Sequence, residues 1–134
     1  MSSPVAIRFD DALLAEVRQV ARRRSTSVSA VVQGFTEEGI RGQRVAGIVF
    51  RDGPAGRRPG VAGSLDVWEI VAAVRGMEHR DTVAAAAELG VAEAVVRTAL
   101  DYYGRYPDEI DVWIADNECE AAAARAAWDR ALSA

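Results

Sequence analysis

Lysine is absent from these 134 residues: all 16 basic side chains are arginine, and histidine and cysteine occur once each. The single Cys119 excludes an internal disulfide and fits a reducing compartment. With His79 as the one histidine, no His-based zinc site can be assembled, and Cys119 alone is no better; nucleophile–base pairs are also hard to find. No apolar run approaches the ~20 residues needed to cross a bilayer. The N-terminus also lacks a basic region followed by an apolar signal segment. These absences set the expectations of a cytoplasmic protein that touches no membrane, holds no cofactor or metal, and is not an enzyme. Glycine is plentiful in "GIVFRDGPAGRRPGVAG", Gly47 to Gly63, but no Gly-Lys-Ser/Thr closes the stretch, which argues against a phosphate loop.

What is present is enough for a core, since 50% of the chain is apolar. The length suits one moderate domain or two small ones. The net charge of −4 is unevenly laid out: residues 1–44 sum to +2, residues 45–80 to +1 and residues 81–134 to −7. An acidic protein is a poor candidate for nucleic acid, but a basic-leaning head on an acidic remainder is a different case.

In "PVAIRFDDALLAEV" the rhythm changes halfway. Val5, Ile7 and Phe9 alternate with Ala6 and Arg8, the period of a half-buried strand. From Asp10, a plausible N-cap, Leu13, Val17, Val20 and Ala21 fall on one helix face. That helix ends in Arg22 to Arg24, which suit the negative end of its dipole. Ser27 can cap a second helix, with Val28, Val31, Val32 and Phe35 inward, running to about Arg44. The run Ile48–Phe50, the turn "DGPAG" and "RRPGVA" predict two short strands and a loop over residues 47–63. Helices follow over residues 64–115. The first is capped by Ser64 or Asp66, carries Val67, Ile70, Val71 and Val74 inward, and ends at Gly76. The next ends with Gly90 at C′, and a third is stopped by Gly104 and Pro107. The tail, residues 108–134, reads as one or two alanine-rich helices. The whole is a mainly α chain with domains at 1–45 and 46–134.

A lone strand cannot satisfy its own backbone groups and needs a partner. The order strand, helix, short turn, then "SVSAVVQ" opening a second helix resembles the ribbon-helix-helix family of bacterial repressors and antitoxins. That resemblance implies that the strand pairs with its copy in a second subunit, forming an antiparallel ribbon in an intertwined homodimer or higher even oligomer. Val5, Ile7, Phe9, Leu13, Val17, Val31 and Phe35 would then build the dimer core. Pro4, Ala6 and Arg8 would face the DNA major groove, where an Arg can bond bidentately to guanine. Pro4 and Ala6 stand where the family prefers polar readers, so at best they contact thymine methyls. The backbone at Thr26, Ser27, Val28 and Ser29 matches the family's phosphate clamp, and Arg22 to Arg24 could add phosphate contacts. The competing reading is a strand that merely dimerises.

Residues 46–115, above all "LDYY…YPDEID" from Leu100 to Asp111, resemble a small helical domain family of uncharacterised function. That family is often joined to DNA-binding heads in antitoxins of VapB type, whose toxins are PIN-fold nucleases. Its usual "GTR" is "GSLDVW" here. Within it, residues 82–100 fit a helix-turn-helix template, with Ala86, Val91, Val96 and Ala99 inward and Gly90 in the turn. The outward residues Glu93, Ala94, Arg97, Thr98 and Asp101 are poor for approaching phosphates, which favours a structural or protein-binding role over DNA reading.

Asp108, Glu109 and Asp111 follow Pro107, where acids favour a helix start, more simply than they form an acid/base or metal cluster. His79 suits an exposed linker, Cys119 a helix surface and Trp68 a core stripe. Trp113 and Trp128 must bury their apolar area somewhere, either on the chain's own core or in a partner. The resemblance implies the partner: a PIN-type nuclease toxin, engaged by Trp113, Arg125, Trp128 and Arg130. The expected function is an antitoxin that represses its own operon by binding operator DNA. The alternative is a stand-alone ribbon-helix-helix regulator whose second domain oligomerises or senses a ligand.

Overall fold

A computed structural model describes residues 1–134 as six helices and one two-stranded antiparallel sheet. The chain forms two compact units, Met1–Arg41 and Gly42–Ala134.

In the first unit, helix α1 (Asp11–Arg23) begins behind Asp10, whose carboxylate accepts the Leu13 N–H at 2.8 Å. This supplies an acceptor to one of the first-turn amides, which have no partner inside the helix. A turn follows in which Ser25 adopts a left-handed φ of 52°. Helix α2 (Val28–Arg44) starts after Ser27, whose hydroxyl accepts the Ala30 N–H at 3.1 Å. Within residues 1–41 the buried positions are Ala21 and Val31. Val5 and Ile7 are 78% and 62% exposed, and Leu13, Phe35 and Ile40 also reach solvent. The expected strand over Val5–Phe9 is not formed, and the layout begins with a helix. The physical reason is the one that made the strand conspicuous: a single chain offers this segment no neighbouring strand to complete its hydrogen bonds.

The second unit is better filled. Strands β1 (Ile48–Arg51) and β2 (Arg58–Val61) pair with Ile48 opposite Val61 and Arg51 opposite Arg58. Pro59 sits in β2 without breaking the sheet, because in a two-stranded sheet each strand has a free edge. Helix α3 (Val67–Arg75) buries Val67, Ile70, Val71 and Val74, as the spacing predicts, and ends at Gly76. Asp66 rather than Ser64 stands at its N-cap, with the Asp66 N–H donating to the Glu69 carboxylate at 3.0 Å. Helix α4 (Thr82–Leu89) ends at Gly90, whose φ of 68° places it in the left-handed C-terminal position that glycine favours. Helix α5 (Glu93–Arg105) continues through Gly104 into its last turn, so that glycine does not stop it. The stop comes at Tyr106, and Pro107 opens α6 (Pro107–Ser133), a single helix where one or two were expected.

The core of this unit gathers on Tyr102, which is fully buried. Its ring meets Phe50 edge-on at 6.4 Å and Tyr106 at 4.9 Å between centroids. Its hydroxyl donates to Glu109 at 3.2 Å, so the polar tip is satisfied while the ring is buried. One side chain thereby joins the hairpin, α5 and the first turn of α6. Tyr102→Phe is expected to lower stability by about 0.5–1.5 kcal/mol, the net value of one hydrogen bond. Tyr102→Ala should cost about 3–5 kcal/mol through the cavity it leaves. Urea denaturation of both variants checks this; equal losses would mean that the ring contributes nothing to the core.

Candidate functional site

The residues assigned to DNA cluster at the start of the first unit. Pro4, Ala6 and Arg8 are exposed in the extended segment ahead of α1, and Arg22 and Arg23 are exposed in the last turn of that helix. Arg24 lies over the Phe35 ring, 5.0 Å from its centroid, a cation–π contact that holds the turn against α2. Of the clamp residues, Thr26 donates its backbone N–H to Ala21 O at 3.0 Å, which removes that amide from an anion site. Of the residues expected to form a clamp, Ser27, Val28 and Ser29 lie at the N-terminus of α2, where backbone N–H groups and the positive end of the helix dipole coincide.

Among the dimer-core positions, Val5, Ile7, Leu13 and Phe35 are exposed, Phe9 and Val17 are half-buried and Val31 is buried.

In the second unit, α4 and α5 do form a helix-turn-helix around Gly90, with Ala86, Val96 and Ala99 buried and Val91 half-buried. Its outward face is self-neutralised. Arg97 donates to Glu93 at 2.8 Å and Arg105 donates to Asp101 at 3.1 Å. Glu93 also accepts from the Thr82 hydroxyl at 2.8 Å. That bond, followed by the bonds to Arg97, holds the Glu93 carboxyl below its ordinary value of 4.5.

The acids after Pro107 are engaged in the fold. Glu109 accepts from Tyr102, and Asp111 accepts from Arg75 and from the Tyr103 hydroxyl, both at 2.9 Å. The bond to Asp111 favours the neutral phenol and raises the Tyr103 pKa above 10.0. No group of three or more His, Cys, Asp or Glu converges anywhere in the chain. His79 is exposed after α3, and Cys119 is exposed on α6.

One arrangement has no counterpart in the sequence reading. Arg51 and Arg58, opposite each other across the hairpin, both bond the Asp66 carboxylate at the start of α3, Arg51 at 2.9 Å and Arg58 through Nε. Arg51 also donates to Val61 O at 2.6 Å. Asp66 is buried, and two charge-assisted partners are what make its burial tolerable. A Cβ at Gly60 would lie 2.6 Å from an Arg51 nitrogen, so the absent side chain there leaves room for the guanidinium. The available signal was the pair of arginines placed symmetrically about a turn, followed by a capping aspartate.

Beside this cluster runs an open groove of about 900 Å³ between the hairpin loop, α3 and α6. Trp68, Trp113, Glu69, Asp116 and Glu120 are among its lining residues.

The four residues expected to meet a toxin separate along α6. Trp113 is half-buried in the groove wall, whereas Arg125, Trp128 and Arg130 lie on the exposed second half. Trp128 is 65% exposed, so the chain's own core does not cover it.

No helix is long and apolar enough to cross a membrane. No family model matches the chain, and no curated protein or solved structure shows significant similarity to it.

The Glu93 carboxyl is a direct handle on the α4–α5 junction. Because folding lowers its pKa, its contribution to stability is fully present above pH 4.5 and is lost as pH falls through the depressed folded value. Thr82→Ala is expected to move Glu93 back toward 4.5, read by NMR titration of its side-chain carbon. An unmoved titration would show that the hydroxyl does not set it.

Proposed function

We propose that this chain is a homodimeric, DNA-binding antitoxin of ribbon-helix-helix type that represses its own operon and neutralises a PIN-type nuclease. The observation that carries the reading is the bare apolar surface of the first unit. Val5 and Ile7, at alternating positions just before an N-capped helix, are exposed on a unit whose buried residues are Ala21 and Val31. Two short helices with so little core do not hold together in water without a partner. A second copy supplies it: pairing of two Pro4–Phe9 segments completes their backbone hydrogen bonds and turns Val5, Ile7 and Phe9 onto the helices. The same alternation turns Pro4, Ala6 and Arg8 outward, toward the major groove.

The charge distribution supports the same assignment. Arg8, Arg18, Arg22 and Arg23 carry no carboxylate partner in the chain, whereas Arg51, Arg58, Arg75, Arg97 and Arg105 are each bonded to one. The first unit thus carries arginines free to meet phosphates, although the protein as a whole is acidic; the second unit likewise leaves Arg80, Arg125 and Arg130 without a carboxylate partner. The exposed end of α6, bearing Arg125, Trp128 and Arg130, is the segment offered to the toxin.

The groove beside Trp68 and Trp113 favours a second reading, a stand-alone regulator whose second unit senses a ligand. A small nuclease reading frame next to the gene separates the two.

Labelled DNA from the gene's own upstream region, titrated at several salt concentrations against a scrambled duplex, tests the reading. Tight, salt-dependent preference for the upstream fragment is expected, and Arg8→Ala should weaken it by ~1–3 kcal/mol. Equal affinity for both duplexes would leave the ribbon as a dimerisation device alone.

Ile110 and Ile114 belong to the core, so a clean truncation falls after Asn117. Deleting Glu118–Ala134 should leave DNA binding intact and abolish inhibition of the toxin in a nuclease assay; retained inhibition would remove the tail from that role.

A further inference from the structure

The groove between the hairpin loop, α3 and α6 is walled by residues that suit a cation. Trp113, Asp116, Asn117 and Glu120 stand at i, i+3, i+4 and i+7 on α6, one face of the helix, and all four line the groove. The first turn of α3 adds Trp68 and Glu69. The hairpin loop closes on Trp113: a Cβ at Gly56 would lie 3.9 Å from Cη2 of that ring. Trp68 and Trp113 are both half-buried, so neither is wholly taken up by the core.

The charges of that wall do not balance. Four carboxylates and one guanidinium line it, and the guanidinium, Arg58, is held by Asp66. Glu69 accepts the Asp66 N–H, and no arginine of the chain pairs with Glu69, Asp116 or Glu120. Asp116 and Glu120 are one turn apart, a like-charge spacing that costs helix stability until a cation is set against both. Acids on a convex surface would gather counterions and nothing more. Here they share a concave wall with two indoles, which attract cations by a separate interaction and also take apolar groups. Four helical residues rise ~6 Å, a separation that the alkyl spacer between two ammonium groups can match. A metal ion would leave the tryptophans idle, and no three acids converge to hold one.

We propose that this groove binds a linear polyamine, its ammonium groups on Glu69, Asp116 and Glu120 and its methylenes against Trp68 and Trp113. Spermidine brings three ammonium groups to the three carboxylates that no arginine compensates. The proposal names a ligand class for the regulator reading, on which its biological sense rests, and draws nothing from the antitoxin reading.

Calorimetric titration of the full chain, without DNA, against spermidine, putrescine and magnesium tests this, with the three indole N–H signals followed by NMR. Spermidine is expected to bind saturably, and putrescine about tenfold more weakly for want of one ammonium group. The Trp68 and Trp113 signals should shift and that of Trp128 should not. Asp116→Asn and Glu120→Gln, both at exposed helix positions, should each weaken spermidine binding about tenfold. Glu118→Gln, exposed on the same helix but outside the groove, should leave it unchanged. Absence of saturable binding overturns the proposal. So does an equal loss in Glu118→Gln, which would make the attraction diffuse, and so does magnesium moving the same signals at the same concentration, which would mean an adventitious ion only. Any of these leaves the regulator reading in need of a ligand of another class. If spermidine binds as expected but changes the affinity for upstream DNA equally in the wild type and in Glu120→Gln, the site stands and the regulator reading falls.

Discussion

The backbone of the first ten residues, and the apolar side chains it carries, make demands that one copy of the chain does not meet. Extended peptide needs a neighbour for its N–H and C=O groups, and Val5 and Ile7 need something apolar to cover them. Most of the functional reading follows from that unmet need. The alternation is meaningful only if one face is buried, and the opposite face, with Arg8, is then free to read a surface. Leu13 and Ile40 add to the same deficit from the helices. A unit of this size whose buried side chains are one alanine and one valine has little core of its own, which is what the proposed association would supply.

The second unit solves the opposite problem, because it holds a carboxylate inside. Asp66 is tolerated because the two arginines opposite each other on the hairpin converge on it, and this convergence ties the sheet to the start of α3. Tyr102 performs the corresponding task on the apolar side, joining β1, α5 and α6 through one ring and one hydroxyl. The hairpin would be marginal alone. Anchored at Asp66 and Tyr102, it becomes a wall of the groove beside Trp68 and Trp113.

Helices and their ends were legible because their signals are local. Asp10, Asp66 and Gly90 each act within a few residues, through a cap or a left-handed φ. The hairpin was legible for the same reason, from its turn residues. Gly104 misled because glycine in a last turn is tolerated wherever the next residues supply the stop, here Tyr106 and Pro107. The Arg51–Asp66–Arg58 cluster was not legible, since it depends on the register of the hairpin and on where α3 lands. The strand was legible as a pattern yet is absent from the single chain, because a pattern records what a residue run can bury and not whether a neighbour is there to bury it. Thr26 shows the limit at the finest scale: its amide belongs to Ala21, which no residue pattern near it reveals.

The all-arginine composition acquires a physical sense once its partners are known. A guanidinium can bond two acceptors at once, as Arg51 does with Asp66 and Val61, so arginine suits the interior cluster better than a point-charged ammonium would. The same forked geometry suits guanine and phosphate at Arg8, Arg22 and Arg23, where no carboxylate in the chain competes. Net charge alone would assign this protein away from nucleic acid. Subtracting the arginines already held by carboxylates leaves Arg8, Arg18, Arg22 and Arg23 in the first unit, but also Arg80, Arg125 and Arg130 in the second. The acidic surplus of residues 81–134 makes the second unit the poorer of the two for approaching a phosphate backbone.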